Sequence, residues 1–188
     1  MTEQLQAWLC LKSAPGLKHR AALDLLSRYP DPLAFVGRKD HPLYADNRLD
    51  PALLEHLRNA TPHPRLQQIA KLCEHYSIEA VFYGTDNYPP GLANSLAPPL
   101  ILWHRGDLAP ALERVCLAVV GTRKPTAYGR GSCAKLLAPV CKHGATIISG
   151  LAIGIDTVAH YAALENGSQT FSVLASGLET IYPPSNRD

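Results

Sequence analysis

Two short segments of the chain carry residue types that could hold an anion. The first loop (residues 121–126) opens with Gly121-Thr122-Arg123, directly after an apolar run at residues 115–120. Glycine lets a ligand approach the backbone, threonine offers a hydroxyl donor, and the planar arginine fork can grip one phosphate with two hydrogen bonds. The second loop (residues 149–156) contains a serine and two glycines, whose hydroxyl and backbone amides could form an anion nest. We predict a phosphate site there; the alternative is a plain strand-to-helix turn with a solvated arginine.

Side chains close to these glycines would extend the site. We expect Lys124 and Arg130 to line the same crevice, and Lys135 and Lys142 to be ordinary solvent-facing residues of the following helix. Tyr128 could stack on a base or could cover the sheet edge. From the residues alone, the predicted nucleic-acid contacts are Gly121, Thr122, Arg123, Lys124, Tyr128, Arg130, Ser149, Gly150 and Gly154.

The distribution of charge supports an anionic ligand. Residues 114–155 contain six Lys or Arg and no Asp or Glu, although the whole chain has a formal net charge of only +2. Residues 1–113 sum to −1 and residues 156–188 to −3. The positive charge is therefore local, which suits a polyanion site better than a general basic coat.

The elements that must position these loops form a βαβ pattern. We predict a strand at residues 115–120, a helix at 127–143, and a second strand at 146–148. A helix from Asp156 to Glu165 and a strand at 170–174 follow. In a parallel sheet the loops at the carboxyl ends of the strands gather in one crevice, where ligands bind. The prediction is an α/β fold whose parallel sheet is cut short after three core strands. In the usual doubly wound order the strand at residues 115–120 would be central, so its other edge is left open or is covered by something else.

Asp156 and His160 lie four residues apart and so share one face of the predicted helix. Such a pair could perform acid–base chemistry. The simpler interpretation is that Asp156 caps the helix, because neither a nucleophile nor a third orienting group accompanies the pair.

The first part of the chain is predicted to be helical. Helices at residues 18–27, 51–59 and 64–76 follow a first amphipathic segment, with a polar connector at residues 37–47. The Pro-Gly turn at Pro15-Gly16 fits either a helix-hairpin-helix that holds a DNA phosphate or an αα-hairpin that only packs. We assign residues 1–78 to a helical domain, 79–113 to a connecting segment with short strands, and 114–188 to the first part of the sheet domain.

Several classes of protein are disfavoured. There is no GxxxxGK[ST], and no GxGxxG follows the first predicted strand, which argues against Walker-type nucleotide hydrolysis and against NAD binding. Five scattered cysteines without a CxxC pair predict reduced thiols, with neither a disulfide framework nor a metal site. No long apolar run or signal peptide is seen, so we expect a cytoplasmic protein without a membrane anchor.

Three segments together resemble the DNA-processing protein A family (DprA, also called Smf). They are VVGTRKPTAYG, ISGLAIGIDTVAH and SGLETIYPPSN. The segment FYGTDNYPPGLANSLAPPLILWHRGDL is similar to that family's lead-in to its nucleotide-fold domain. The resemblance implies a Rossmann-like domain behind a sterile-alpha-motif-like (SAM-like) helical domain. It adds Ala152 to the expected DNA contacts, and it places Asp156, His160 and Asn186 at structural positions.

The resemblance also implies a function and partners. Members bind and protect incoming single-stranded DNA during natural transformation and help to load the recombinase RecA, without a catalytic step, metal or cofactor. Family members continue with a basic FPxRNR-type segment, further strands and often a winged helix, so their usual homodimer surface is expected beyond residue 188. Two alternatives stay open: a nucleotide-processing enzyme of the phosphoribohydrolase kind, and a structural or partner-binding module.

Overall fold

The structure is a computed structural model that describes residues 2–60 and 62–186. The chain divides into two compact units, residues 1–104 and residues 105–188. The α-helices are Thr2–Lys12 (α1), His19–Arg28 (α2), Pro32–Phe35 (α3), Pro51–Asn59 (α4), Leu66–Tyr76 (α5), Pro90–Ala93 (α6), Ala109–Glu113 (α7), Ala127–Lys142 (α8) and Ile155–Glu165 (α9). The strands are Glu79–Phe82 (β1), Ile101–His104 (β2), Cys116–Ala118 (β3), Thr146–Ser149 (β4) and Thr170–Ser172 (β5).

The core of the first unit is built around a buried tryptophan. Trp8 of α1 stacks on Phe82 of β1, with ring centroids 5.2 Å apart. Leu25, Phe35 and Leu57 from three further helices are fully buried in the same cluster. Since burying one such side chain is worth about 1.5–3 kcal/mol, this cluster stabilises the helices and β1 as one body.

The segment at residues 79–113, predicted as a connection, is largely part of this first unit. β1 and β2 pair antiparallel, with Phe82 opposite Ile101. Between them Tyr88 is buried, and its hydroxyl donates a 2.8 Å hydrogen bond to the carbonyl of Pro99. The boundary between the compact units therefore falls after His104, earlier than the start at residue 114 that the sequence suggests.

The polar connector predicted at residues 37–47 is more ordered than expected. It contains a short 3-10 helix, Pro42–Ala45, whose Leu43 is completely buried. Asp46 then accepts hydrogen bonds from Arg28 and Arg48. The hydrogen bond from Arg48 is the main reason that the pKa of Asp46 lies well below its ordinary value.

The second unit holds a parallel three-stranded sheet in the order β3-β4-β5, with Leu117 opposite Ile147 and Ile148 opposite Phe171. The connections β3-α8-β4 and β4-α9-β5 step in the same direction across the sheet. Because such crossovers are right-handed, both helices lie on the same face of the sheet. α8 and α9 accordingly pack on each other and on Ile147. The side of α9 in this contact is rich in alanine, which allows a close helix–helix approach.

The predicted elements of this unit are confirmed, with the first and third strands shorter than predicted and the second extended by one residue to Ser149. The helix predicted at residues 127–143 is α8, Ala127–Lys142, and the helix predicted from Asp156 is α9, Ile155–Glu165. The strand predicted at residues 115–120 is reduced to Cys116–Ala118. It lies at one edge of the described sheet, as the sequence predicts, with Val115 and Val120 largely exposed beside it.

Candidate nucleic-acid interface

The first and second loops lie against each other at the carboxyl ends of β3 and β4. The backbone N–H of Ile155 donates to the carbonyl of Thr122 at 3.1 Å. The Ser149 hydroxyl donates to the carbonyl of Val119 at 2.7 Å. The fold therefore brings together the two segments that the sequence singles out.

The glycines of both loops are required by this loop–loop packing. Gly154 has φ +104°, and a Cβ added there would lie 2.3 Å from the carbonyl oxygen of Thr122. A Cβ at Gly121 would lie 2.6 Å from the Cβ of Ile155. From the sequence, these glycines are predicted to make room for a phosphate. In the structure the chain itself takes that space.

The prediction of an anion nest in the second loop is wrong, because the donors it requires already bond to other groups of the chain. Asp156 Oδ2 accepts the backbone N–H groups of Gly150 at 3.1 Å and Ala152 at 3.4 Å. Ser149 is 4% exposed, and its hydroxyl proton is used by Val119. The chain's own carboxylate thus occupies the place of the expected anion.

The capping role predicted for Asp156 is also corrected. Gly154 is the N-cap of α9, and no side chain hydrogen-bonds to the cap amides. Asp156, in the first turn of α9, reaches back to the amides of the preceding loop instead. Its effect is to close that loop onto the start of the helix.

His160 of α9 is buried and contacts Thr170 of β5. Its Nδ1 lies 2.7 Å from Thr170 Oγ1, and the Thr170 hydroxyl donates to the carbonyl of Ile147 at 2.9 Å. Threonine has one proton, which it gives to Ile147, so its oxygen accepts a hydrogen bond from Nδ1–H of His160. Burial lowers the pKa of His160, against an opposing effect of Asp156. With both residues buried and engaged in these contacts, the pair is poorly placed for acid–base work on a substrate.

The second loop has a further clamp near the end of the described chain. Asn186 Nδ2 donates to the carbonyl of Leu151 at 2.9 Å and to Thr157 Oγ1 at 2.8 Å. Thr157 in turn donates to the carbonyl of Ala152 at 2.8 Å. Sequence reasoning did not single out Thr157, although a threonine in the first turn of a helix is well placed to bond the preceding loop.

The first loop keeps its polar groups available. Thr122 Oγ1 accepts the N–H of Lys124 at 3.2 Å, which leaves the hydroxyl proton free to be donated. Arg123, Lys124 and Arg130 are exposed, and within residues 2–60 and 62–186 none of them forms an ion pair. Tyr128 is 85% exposed and covers no sheet edge.

The start of α8 adds to the positive potential of the first loop. Thr126, which sequence reasoning also missed, is the N-cap and accepts the N–H of Gly129 at 3.1 Å. The N-terminal end of a helix carries about half a positive charge and attracts anions. Lys142 lies at the other end of the same helix, about 22 Å away at 1.5 Å rise per residue. The positive groups nearest the loop are therefore Arg123, Lys124 and Arg130.

The part of the chain that the structure describes lacks the features of two other kinds of site. There, no helix combines the length and the apolar character needed to cross a membrane. The same residues contain no group of three or more His, Cys, Asp or Glu that could hold a metal ion. All five cysteines are free thiols, and burial raises the pKa of each.

Comparison with known proteins identifies relatives of this chain. It is 33% identical over 124 residues to the DNA processing protein DprA of Bacillus subtilis, covering 66% of this chain and 42% of that protein. It is 39% identical over 102 residues to DprA of Streptococcus pneumoniae, covering 54% and 36%. It is 38% identical over 125 residues to protein Smf of Escherichia coli, covering 64% and 32%. The chain therefore spans less than half the length of these relatives.

Two solved structures agree with the fold. The X-ray structure of DNA processing protein A from S. pneumoniae matches 96% of this chain and 62% of its own, with a TM-score of 0.70 and 27% identity. DNA processing protein A from Helicobacter pylori, described for its single-stranded DNA binding mode, matches 60% and 49%, with a TM-score of 0.51 and 30% identity. These matches confirm the Rossmann-like α/β fold. The family model of DNA recombination-mediator protein A matches residues 79–188, and the chain belongs to that family.

Proposed function

We propose that this chain binds single-stranded DNA by its sugar–phosphate backbone at the first loop and the start of α8. The observation that supports this most directly is a set of three exposed cations, Arg123, Lys124 and Arg130, beside a free threonine hydroxyl and a helix N-terminus. No carboxylate in residues 114–155 competes for these cations. Such an arrangement favours phosphate and carries no base-specific readout.

Within this proposal the second loop supports the first. The shape of the second loop depends on three of its residues, Gly150, Ala152 and Gly154. They let the loop close on Asp156 and on the backbone of Thr122, which holds the first loop in place. Ser149 does the same through its bond to Val119. Tyr128 is the residue placed to stack on a base, since its ring is exposed at the first turn of α8.

We further propose that binding is non-catalytic and serves protection of single strands and loading of a RecA-type recombinase in the cytoplasm, during DNA uptake. The family's description as a recombination mediator and the relatives' names as DNA-processing proteins support this. None of those names describes a catalysed reaction. The buried and engaged state of Asp156 and His160 argues against the phosphoribohydrolase alternative.

A salt titration tests the mode of binding. About three phosphate contacts predict a slope of about −2 for log affinity against log salt on single strands, or roughly 20-fold weaker binding at 200 than at 50 mM. A fluorescein-labelled oligothymidine and its duplex with oligoadenine would be compared by fluorescence polarisation. A preference for the single strand with that slope is expected. Equal affinity for both forms, or binding that salt does not weaken, would contradict the proposal.

A further inference from the structure

The turn between α1 and α2 carries a basic surface that is separate from the first loop in sequence. Lys12 is the last residue of α1, Lys18 is the N-cap of α2, and Arg20 lies in the first turn of α2. All three side chains are exposed, as is that of His19. We call residues 12–20 the basic hairpin. In the part of the chain that the structure describes, none of these four side chains forms an ion pair.

The charge of the basic hairpin differs from that of the unit around it. Residues 4–23 contain three Lys or Arg and no Asp or Glu, whereas residues 1–104 contain ten of each kind. Asp24 follows Arg20 at the spacing that allows an ion pair along a helix, yet the two side chains do not pair. The positive charge at this turn is therefore local and is not neutralised by an ion pair.

The apolar residues of the turn and its two helices account for its inner side only. Leu11 and Leu25 are completely buried, and Ala14 is nearly so. The N–H of Leu17 closes the turn by donating to the carbonyl of Ala14 at 3.3 Å. Gly16 is exposed with φ +72°, and a Cβ added there meets no atom within 4 Å. The outer side of the turn thus faces open space beside the exposed cations.

We propose that the basic hairpin is a second contact for DNA, which holds backbone phosphates with Lys12, Lys18 and Arg20. Lysine and arginine contacts to phosphate position a strand without reading its sequence. An acidic protein would match the charge as well, but protein interfaces depend on aromatic and apolar anchors that become buried. The exposed residues of the basic hairpin include no Phe, Tyr or Trp and no large aliphatic side chain. The surface therefore favours a nucleic acid.

This inference rests on the proposed function, that the chain binds DNA, and adds a contact in the other compact unit. It decides between the two interpretations of the Pro15-Gly16 turn, in favour of a hairpin that holds phosphate. Each phosphate contact adds about 0.7 to the magnitude of the salt slope on single strands. A strand that meets both sites should therefore show a slope steeper than the value of about −2 for the first loop alone.

Removal of two of the cations tests the contact. Lys18→Ala/Arg20→Ala is compared with Arg65→Ala/Lys71→Ala, whose two cations are exposed at the start of α5 and within it, in the same unit. Fluorescence polarisation measures the affinity of each chain for labelled oligothymidine and for its duplex with oligoadenine. On the single strand, loss of two contacts should reduce the salt slope by about 1.4, and should weaken binding about 60-fold at 50 mM salt and about tenfold at 200 mM. The control should change neither quantity by much.

A photo-crosslink tests proximity without relying on affinity. Ser13 is exposed in the turn, and Gln67 is exposed on α5. Each is replaced by cysteine in a chain that also carries Cys116→Ser, which removes the exposed native thiol. The new thiol is labelled with a benzophenone maleimide and the protein is irradiated with labelled oligothymidine. We expect the cross-linked strand to accumulate at position 13 and not at position 67.

Two results would overturn the inference. One is an affinity for both forms of DNA that falls equally in the two double variants, or in neither. The other is equal cross-linking at positions 13 and 67. A loss on the single strand identifies the phosphates of the bound strand as the ligand, and a loss confined to the duplex identifies duplex phosphates.

Arg123→Ala separates the basic hairpin from the first loop. If Arg123→Ala weakens binding and Lys18→Ala/Arg20→Ala does not, the proposed function stands and the hairpin only packs. If neither variant weakens binding, the proposed function fails as well.

Discussion

Replacement of Gly154 by alanine tests whether the two loops are packed together as described. The residue has φ +104° and ψ −127°, a region that is essentially limited to glycine. Its new Cβ would lie 2.3 Å from the carbonyl oxygen of Thr122 and 2.7 Å from Cα of Arg123. Both neighbours are backbone atoms, so the clash cannot be relieved by turning a flexible side chain.

The expected cost has two parts. Backbone strain in this region is about 1–3 kcal/mol, and forcing a methyl group into a packed space adds about 1–3 kcal/mol. We therefore expect Gly154→Ala to lower the free energy of unfolding of the second unit by about 2–5 kcal/mol. That is a large fraction of the total stability of about 5–15 kcal/mol that is usual for a domain.

Gly167→Ala is the matched control for the strain alone. Gly167 has φ +70°, but a Cβ added there meets no atom within 4 Å. Its expected cost is about 1–2 kcal/mol, the ordinary penalty for a left-handed residue. The difference between the two variants then measures the contact between the first and second loops.

Urea denaturation would measure both variants with two signals. Both tryptophans, Trp8 and Trp103, lie in the first unit, so fluorescence reports that unit and should not change. Circular dichroism and hydrogen exchange of α8 and α9 report the second unit. If Gly154→Ala costs no more than Gly167→Ala, the loops are not in contact and the account of the site is incorrect.

Three further substitutions test the parts that shape the site. Thr126→Ala should lower stability by about 1 kcal/mol through loss of the α8 cap; no loss in urea denaturation would refute the cap. Asp156→Ala should cost about 1–3 kcal/mol and speed hydrogen exchange at Gly150 and Ala152, and unchanged exchange would show that these amides have other partners. The pKa of His160 lies below its ordinary 6.5 in the folded chain, so the unfolded chain binds the proton more readily. The stability that the buried His160 contributes above about pH 6.5 should therefore be lost as the pH falls below that value. His160→Gln should flatten this loss between pH 7.5 and 5.5, and an equal slope in both chains would contradict it.

The elements of the second unit are readable from the sequence because their patterns are local. Short continuous apolar runs suffice to predict β3 and β4, and a helical period of inward-facing residues suffices for α8. The charge count singles out the first loop. In the first unit, β1 and β2 are predictable as strands. Their assignment to the helical core depends on the contact of Trp8 with Phe82, which joins residues far apart in sequence.

The roles of the glycines and of Asp156 could not be read in the same way. A glycine that makes room for a phosphate and a glycine that makes room for a neighbouring loop look identical in a sequence. Gly154 belongs to the second kind, because Thr122 fills the space. A carboxylate at the start of a helix predicts a cap, whereas Asp156 turns back to Gly150. Only the path of the chain distinguishes these cases.

The exposed cations of the first loop are proposed to hold the DNA backbone. The most direct test compares oligothymidine affinity for Arg123→Ala and Lys142→Ala, two variants that each lose one exposed positive charge at opposite ends of the same segment. Arg123→Ala should weaken binding about tenfold and reduce the salt slope by about 0.7, the value for one lost phosphate contact, while Lys142→Ala should change neither by much. Equal losses in the two variants would mean that binding follows net charge alone, and the first loop would not be the site.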